Sequence, residues 1–224
     1  MKKLVIVGDG KIADVAFQCF TKDEDWDVVG FAVEKKFRKK SQYRGLPVSE
    51  LENLSRDYDS QNISLFVAVG YHECNLVRQR IFQHLAKEGY DFASYVSSFA
   101  SVPRDFSPPR NVLVQEFVSI QAGASLEENV FLFSGCTVGH HAFLGAHSWV
   151  ASGVSIGGAS KIGELGFLGL NATIGHEVTI GHRSFIGASS LVLKDLPDGS
   201  VVIERESEKM RLDVDHFLRF TQMK

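Results

Sequence analysis

The sequence has little cysteine, and it lacks a long apolar run. Its three cysteines, Cys19, Cys74 and Cys136, lie far apart among 224 residues. This spacing excludes a disulfide framework and a zinc cluster built on cysteine, and it fits a reducing compartment. The first apolar run ends after four residues, 4–7, whereas a secretory signal core needs about 7–15 and a membrane span about 20. We therefore expect a soluble, cytoplasmic protein that carries no metal and contacts no membrane.

Charge is also scarce in one part of the chain. Residues 1–110 contain 16 Lys+Arg and 15 Asp+Glu, residues 111–195 contain only 3 and 6, and residues 196–224 contain 5 and 6. The net charge of −3 creates no field that would attract nucleic acid or anionic lipid. The contrast predicts a front domain at residues 1–100, a different kind of structure at 101–195 and a terminal segment at 196–224.

A repeat of six residues runs through the poorly charged middle. Stepping by six from Val114 to Val192 meets 14 positions, and all of them are aliphatic. The residue four places after each of the first 13 is small, and glycine often follows the aliphatic residue from Val138 onward. Neither a helix nor a flat sheet keeps a period of six. The repeat therefore predicts a triangular coil of short parallel strands, in which three hexads complete one turn.

The geometry of such a coil predicts which residues are neighbours. The aliphatic residue fills the interior, the small residue packs beside it, and glycine is expected to help the chain turn each corner. Residues one coil apart lie one above the other, at about 4.8 Å. One predicted column contains Ala122, His140, Gly158 and His176, and the next contains His141, Ala159 and Glu177.

The first hundred residues alternate between strand and helix patterns. A buried strand at residues 4–7 leads through the turn Gly8-Asp9-Gly10 into an amphipathic helix at 12–20, and a second strand ends at Glu34. A further strand at 65–70 precedes a helix at 75–88. We predict a small Rossmann-like α/β domain that ends near Ser98. Its first turn lacks the third glycine of a dinucleotide fingerprint but suits a phosphate at a helix N-terminus.

Six basic residues lie close together from Lys35 to Arg44. No regular aromatic pattern accompanies them, so they do not indicate nucleic-acid binding. A solvated loop beyond the second strand is the simplest interpretation, and contact with phosphates of a substrate or of coenzyme A is the alternative.

The two parts together resemble a known family. The repeat looks like the left-handed parallel β-helix of hexapeptide-repeat acyltransferases. A small Rossmann-like domain in front of it resembles the nucleotide-sugar N-acetyltransferases and the sialic-acid O-acetyltransferases. The likeness includes residues 67–71 and 94–97 with Asn75 and Arg78, and it covers most of residues 1–195. It implies an acetyl-CoA-dependent N-acetyltransferase that acts on the amino group of a nucleotide-linked amino-deoxysugar in the biosynthesis of surface polysaccharides.

The resemblance implies a set of catalytic residues. His140 matches the general base of the family, and Gly158, one coil further on, matches the glycine whose backbone N–H stabilises the oxyanion. His141 stands where the family often has a carboxylate. The base could therefore be oriented by His141, by a backbone carbonyl, by water or by a neighbouring subunit.

Candidate binding residues follow from the same resemblance. The nucleotide sugar is expected at Gly8, Asp9, Gly10, Glu34, Gly70, Asn75 and Arg78, and acetyl-CoA at Trp149, Gly158, Asn171, Gly187 and Ala188. Trp149 replaces a family histidine near the thioester, and filling a subunit interface is its alternative role. Asn171 could instead bond its own corner. Cys136 takes a small interior position, so no covalent acyl-enzyme is expected.

The resemblance also implies a homotrimer with each active site between two subunits. The open end of the coil must be covered, and residues 206–220 are expected to form a capping helix. A sugar O-acetyltransferase and a non-enzymatic nucleotide-sugar-binding protein are the alternatives. A zinc enzyme of the β-helical carbonic anhydrase type is disfavoured because His140 and His176 lack a third histidine at the required spacing. The sequence does not choose between UDP, dTDP and GDP.

Overall fold

The front domain is built on a six-stranded sheet. The computed structural model describes residues 1–221. The strands of the sheet are β1 (Lys2–Val7), β2 (Trp26–Val33), β3 (Gln42–Tyr43), β4 (Leu46–Glu50), β5 (Ile63–Val67) and β6 (Asp91–Phe92). They lie in the order β3-β4-β2-β1-β5-β6, and only β3 runs antiparallel to its neighbour. The helices are α1 (Lys11–Phe20), α2 (Leu54–Asp57) and α3 (Leu76–Lys87), and single 3₁₀ turns lie at Lys35–Phe37 and Leu51–Asn53.

The position of β1 at the centre of this sheet determines where a ligand can bind. Leu4 to Val7 are almost completely buried, as expected for a parallel strand covered on both faces. The chain passes from β1 to β2 on one side and later returns to β5 on the other side. The loops after β1 and β5 therefore diverge and leave a crevice at the carboxyl ends of the strands.

The second part of the chain is a left-handed parallel β-helix, as predicted. Its strands have two residues each and form three parallel sheets. They are β7 (Tyr95–Val96), β8 (Leu113–Val114), β9 (Ser119–Ile120), β10 (Ser125–Leu126), β11 (Phe131–Leu132), β12 (Thr137–Val138), β13 (Phe143–Leu144), β14 (Trp149–Val150), β15 (Ser155–Ile156), β16 (Lys161–Ile162), β17 (Phe167–Leu168), β18 (Thr173–Ile174), β19 (Thr179–Ile180), β20 (Phe185–Ile186), β21 (Leu191–Val192) and β22 (Val201–Val202). Strand pairing in the coil thus begins before residue 101 and continues after residue 195, which are the bounds expected from the sequence.

The interior of the coil is the aliphatic column that the repeat predicts. All 14 residues at the six-residue spacing are at most 8% exposed. The small positions between them, such as Cys136 and Ala142, are also buried. Burial raises the pKa of Cys136 to about 12, so this thiol is not a nucleophile at neutral pH.

The glycines that follow the aliphatic residues are expected to help the chain turn each corner, but the structure gives them a different role. A Cβ on Gly139 would lie 2.6 Å from the backbone nitrogen of Gly158, and a Cβ on Gly145 would lie 2.6 Å from that of Glu164. The positive φ angle at a corner belongs instead to a later residue, such as His141 at 57°. These glycines are needed because the next coil approaches too closely for a side chain.

Each face of the prism has its own outward residues. The aromatic face presents Leu113, Phe131, Trp149, Phe167 and Phe185. The hydroxyl face presents Ser119, Thr137, Ser155 and Thr173, and ends at Leu191. The mixed face presents Ser125, Phe143, Lys161 and Thr179. The front domain packs against the aromatic face, where Phe66 stacks on Phe131 with ring centroids 5.4 Å apart.

The C-terminal helix is present, but it does not cap the coil. Helix α4 (Val214–Thr221) has no buried residue. The last coil is instead extended by β22, which pairs with β20, and by Leu196, which bridges to Ile180. Among residues 1–221, every helix is too short or too polar to cross a membrane.

Candidate active site

His140 lies at the corner between the hydroxyl face and the mixed face, which we call the histidine corner. It follows β12, and its backbone N–H donates to Gln121 Oε1 at 2.9 Å. Its imidazole is exposed and leans over the next coil, because a Cβ on Gly158 would lie only 2.5 Å from His140 Nε2. Glycine at position 158 therefore leaves the space that this ring occupies.

Gly158 offers an unused hydrogen-bond donor beside that ring. Its carbonyl accepts from Glu177 N–H at 2.9 Å, whereas its own N–H has no acceptor among residues 1–221. A free N–H next to an imidazole is an arrangement that can hold a developing oxyanion while the imidazole takes a proton.

His141 is the nearest side chain that can orient His140. The two Nδ1 atoms are 3.3 Å apart, so one of them must carry the proton and donate. The His141 ring lies over Gly123, where a Cβ would be 2.7 Å from its Cδ2. If His140 donates from Nδ1, its Nε2 is left free beside Gly158, which is the tautomer a base requires.

The predicted sugar-binding glycines lie together at the crevice of the front domain. Gly8 has a φ of +130° and approaches the carbonyl of Ala68, which a Cβ would meet at 2.8 Å. Gly10 is the N-cap of α1 and has no side-chain capping bond, so the first N–H groups of α1 are available to an anion. Gly70 lies against Ile12 at the start of the same helix, and Asp9 lies between Gly8 and Gly10 in the turn before it.

Glu34 ends β2 at the side of this crevice, but it is paired. Arg80 of α3 donates to both carboxylate oxygens, at 2.9 and 3.0 Å. The hydrogen bonds from Arg80 hold the pKa of Glu34 below its usual range. The sequence gives no indication that Arg80 pairs with Glu34, because the two residues lie 46 positions apart.

Asn75 and Arg78, which are predicted to bind the nucleotide sugar, lie between the front domain and the coil. Both side chains are 0% exposed. Asn75 Nδ2 donates to the carbonyls of Leu165 and Gly166 at 3.3 Å. In this chain the two side chains therefore join the front domain to the coil and leave no exposed surface for a ligand.

Arg78 is the centre of a buried polar network at this joint. Its guanidinium donates to the backbone carbonyl and Oδ1 of Asn129, to Asn75 Oδ1 and to the carbonyls of His147 and Ser148. It also lies 4.3 Å from the centroid of the Phe131 ring. Among residues 1–221, no carboxylate is within salt-bridge distance of it, and burial lowers its pKa to about 9.

His147 completes the network as a neutral imidazole. Asn129 Oδ1 accepts from Arg78 and from Asn111 Nδ2, so Asn129 Nδ2 must donate to His147 Nδ1, which is 2.8 Å away. Burial and the charge of Arg78 lower the pKa of His147 to about 4. The sequence spacing of 18 between Asn111, Asn129 and His147 is the one signal that could have grouped them.

Trp149, which is predicted to contact acetyl-CoA, is also buried between the two domains. It is 5% exposed and packs on Phe133 and Tyr71, with ring centroids 4.5 and 5.2 Å away. It lies on the aromatic face, away from the histidine corner. Trp149 therefore takes part in the contact between the two domains.

Asn171, Gly187 and Ala188 lie at a second corner, between the aromatic and hydroxyl faces. Asn171 has a positive φ of 56° and follows β17, and the two other residues follow β20. The histidine corner is at the other edge of the hydroxyl face. Within one chain these residues and His140 do not meet.

The structure also separates His140 from the crevice of its own chain. The front domain covers the aromatic face, and the histidine corner is the corner opposite that face in the triangular cross-section. Among residues 1–221, no group of three or more His, Cys, Asp or Glu side chains is arranged to hold a metal ion.

Comparison with known proteins agrees with both parts of the structure. Residues 3–85 match the PglD N-terminal domain family. Perosamine N-acetyltransferase from Caulobacter crescentus, in a mutant form bound to CoA and GDP-perosamine, is 26% identical with a TM-score of 0.79, over 91% of this chain and 94% of that one. The likeness to this acetyltransferase thus extends over both the front domain and the β-helix.

Two other solved structures share the fold of this chain. The acetyltransferase domain of PglB from Neisseria gonorrhoeae FA1090 is 23% identical with a TM-score of 0.82, over 91% of this chain and 97% of that domain. WeeI from Acinetobacter baumannii AYE is 17% identical with a TM-score of 0.79, over 91% and 97%. No curated protein sequence matches the chain.

Proposed function

We propose that the chain transfers an acetyl group from acetyl-CoA to the amino group of a nucleotide-linked amino-deoxysugar. The observation that carries this proposal is the free N–H of Gly158 beside the ring of His140. The likeness to perosamine N-acetyltransferase supports the same class of acceptor. The front-domain crevice, with the free N-terminus of α1, supports a substrate that carries phosphate.

The chemistry assigns one role to each residue at the histidine corner. The sugar amine attacks the thioester carbon while His140 Nε2 takes its proton, and the Gly158 N–H donates to the thioester oxygen as negative charge develops there. The tetrahedral intermediate then collapses and coenzyme A leaves. His141 accepts from His140 Nδ1 and so holds the base in the required tautomer.

The geometry supports a homotrimer in which the base and the sugar belong to different subunits. The crevice and His140 of one chain lie on opposite sides of the prism. If the hydroxyl faces of three copies surround a three-fold axis, the histidine corner of one copy adjoins the Asn171 corner and front domain of the next. The small side chains Ser119, Thr137 and Ser155 on the hydroxyl face allow such close packing. Asn171, Gly187 and Ala188 could then contact the coenzyme beside a neighbour's His140.

Acetyl transfer is tested with acetyl-CoA and a panel of UDP-, dTDP- and GDP-linked amino-deoxysugars, beside free sialic acid. Mass spectrometry should find one added acetyl group on a nucleotide sugar. His140→Ala should reduce the rate about a hundredfold or more, and His182→Gln, an exposed histidine at another corner, should leave it unchanged. Acetylated sialic acid alone would indicate an O-acetyltransferase. Nucleotide-sugar binding without CoA binding or product would indicate a binding protein.

The shared site is tested by mixing two inactive subunits. His140→Ala removes the base, and Gly10→Glu places a negative charge at the free N-terminus of α1, where no atom obstructs the new side chain. Co-expression should restore activity, because about a quarter of the sites in randomly mixed trimers combine two intact halves. No recovery in confirmed mixed oligomers would mean that base and sugar come from one chain. Ser155→Arg on the hydroxyl face should lower the mass measured by sedimentation.

A further inference from the structure

We propose that His176, held by Glu177, is a second acid–base residue of the active site, which gives a proton to the sulphur of departing coenzyme A. The proposal rests on the proposed acetyl transfer.

His176 shares the histidine corner with the base. It lies two coils beyond His140 in the same column, and only Gly158 lies between them. Stacked coils are about 4.8 Å apart, so two coils would separate the side chains by about twice that distance. The ring centroids of His140 and His176 are nevertheless 5.8 Å apart, because Gly158 has no side chain and the His140 ring leans into that space. The two imidazoles therefore border the same space beside the Gly158 N–H.

The two histidines have different partners. His176 Nε2 lies 3.3 Å from Glu177 Oε1, a distance at which a proton on Nε2 is donated to the carboxylate. His140 has another imidazole, His141, as its partner, at 3.3 Å between the Nδ1 atoms. His176 is equipped to donate, and His140 is equipped to accept.

The remaining charged groups near His176 follow from the register of the coil. The next coil is two residues shorter here, because Val192 pairs with Ile174 whereas Leu196 bridges to Ile180, and Lys194 and Asp195 lie in this shortened corner. The Asp195 carboxylate accepts from Thr179 N–H at 2.8 Å. Glu177 is therefore the acidic side chain that pairs with His176.

The reaction needs both proton transfers. A C–N bond forms and the amine loses one proton, while the C–S bond breaks and the thiolate gains one. His140 takes the first proton at Nε2, and protonated His176 supplies the second. The charges on the two histidines return to their starting values when the proton passes from His140 to His176 through solvent, and no further reactant is needed.

The first test compares acyl donors. We expect His176→Gln to slow acetyl transfer from acetyl-CoA by about tenfold or more, below the usual range for acid–base residues because a thiolate leaves readily. A donor whose thiol is more acidic, such as an aryl thioester, needs no proton on leaving. With this donor, the loss of rate in His176→Gln should become smaller, whereas the loss of rate in His140→Ala should persist. Glu177→Gln should lose rate in the same donor-dependent way as His176→Gln, but to a smaller extent.

The second test does not depend on turnover. Calorimetry should show that the wild-type protein binds CoA several-fold more tightly than desulfo-CoA, which lacks the thiol. His176→Gln should bind both equally, and His182→Gln should keep the wild-type preference.

A His176→Gln protein with wild-type turnover, or with the same loss for both donors, would overturn the proposal and leave the acetyltransferase function intact. Retention of the CoA preference in His176→Gln would overturn it as well. A wild-type protein that acetylates no acceptor would remove the proposed function and this proposal together.

Discussion

The front domain and the β-helix organise their residues in different ways. In the front domain, helices cover a sheet whose neighbouring strands come from distant parts of the sequence, as with β1 and β5. In the β-helix, paired strands from β7 to β21 lie 18 residues apart, and the last strand, β22, lies 16 residues from β20. The coil repeats one backbone conformation, and the side chains at its corners can vary without disturbing it. We therefore expect the functional residues of the coil at its corners and those of the front domain in its loops.

The corners of the coil show how much variety this regularity permits. Residues with positive φ at equivalent positions include His141, Ala159 and Glu177. Their side chains point outward, so each can change without affecting the interior. The glycines before them are under a stricter constraint, because the next coil leaves no space for a Cβ.

The joint between the two regions follows neither the repeat of the coil nor the strand and helix pattern of the front domain. It consists of aromatic packing on the outer face of the coil and of the polar network around Arg78. The position of the crevice relative to the coil depends on this joint. If catalysis uses a neighbouring subunit, the joint also sets the distance from the sugar to the next His140.

Arg78→Met should have the largest effect on stability and should uncouple the two regions. It leaves the carbonyls of Asn129 and His147 and the amide of Asn75 without a donor, and breaking such a buried network costs about 4 kcal/mol. Urea unfolding followed by fluorescence and circular dichroism should change from one transition to two.

The matched control is Arg80→Met, two residues further along α3. Arg80 is half exposed and pairs with Glu34, so its loss should cost less than about 1 kcal/mol. Equal effects of the two substitutions would mean that the joint is not held by Arg78.

The next largest effect on stability is the difference between substituting a glycine of the coil and a glycine of the front domain. Gly139→Ala in the coil forces a Cβ against the backbone of the next coil at 2.6 Å and should destabilise by about 3 kcal/mol. Gly10→Ala in the front domain meets no atom within 4 Å and should change stability by less than about 1 kcal/mol. Thermal and chemical unfolding of both variants would measure the difference, and similar losses would contradict the packing account.

The smallest effect is a pH dependence at the joint. The pKa of His147 is about 4 in the folded protein, below the value of about 6.5 for an unfolded histidine. The unfolded chain therefore binds the proton first, and stability falls as the pH drops from about 6.5 towards 4. This residue should remove about 2 kcal/mol between pH 7.5 and pH 5.

His147→Gln should weaken that pH dependence, whereas His182→Gln should keep the wild-type curve. Chemical unfolding at several pH values would measure both. An unchanged dependence in His147→Gln would show that another group is responsible.

Much of the β-helix could be predicted from the sequence, because its order is local. The six-residue period identifies the interior residues, the coil and the column that contains His140, Gly158 and His176. The alternation of the front domain predicts its central strands to within a few residues, since buried parallel strands and amphipathic helices have distinct patterns.

The contact between the two regions could not be predicted in the same way. Asn75, Arg78 and Trp149 resemble binding residues in the sequence, yet all three are buried at the joint. Nothing in their local pattern reveals this, because burial there depends on packing between segments that are 50 to 90 residues apart.

The sequence by itself therefore determined the coil, its interior and the stacking of its corners, because a repeat makes each residue's neighbours a matter of counting. Only the tertiary structure decided which face of the coil the front domain covers. That choice depends on long-range burial of aromatic side chains and of one arginine. It leaves His140 on the side away from its own crevice.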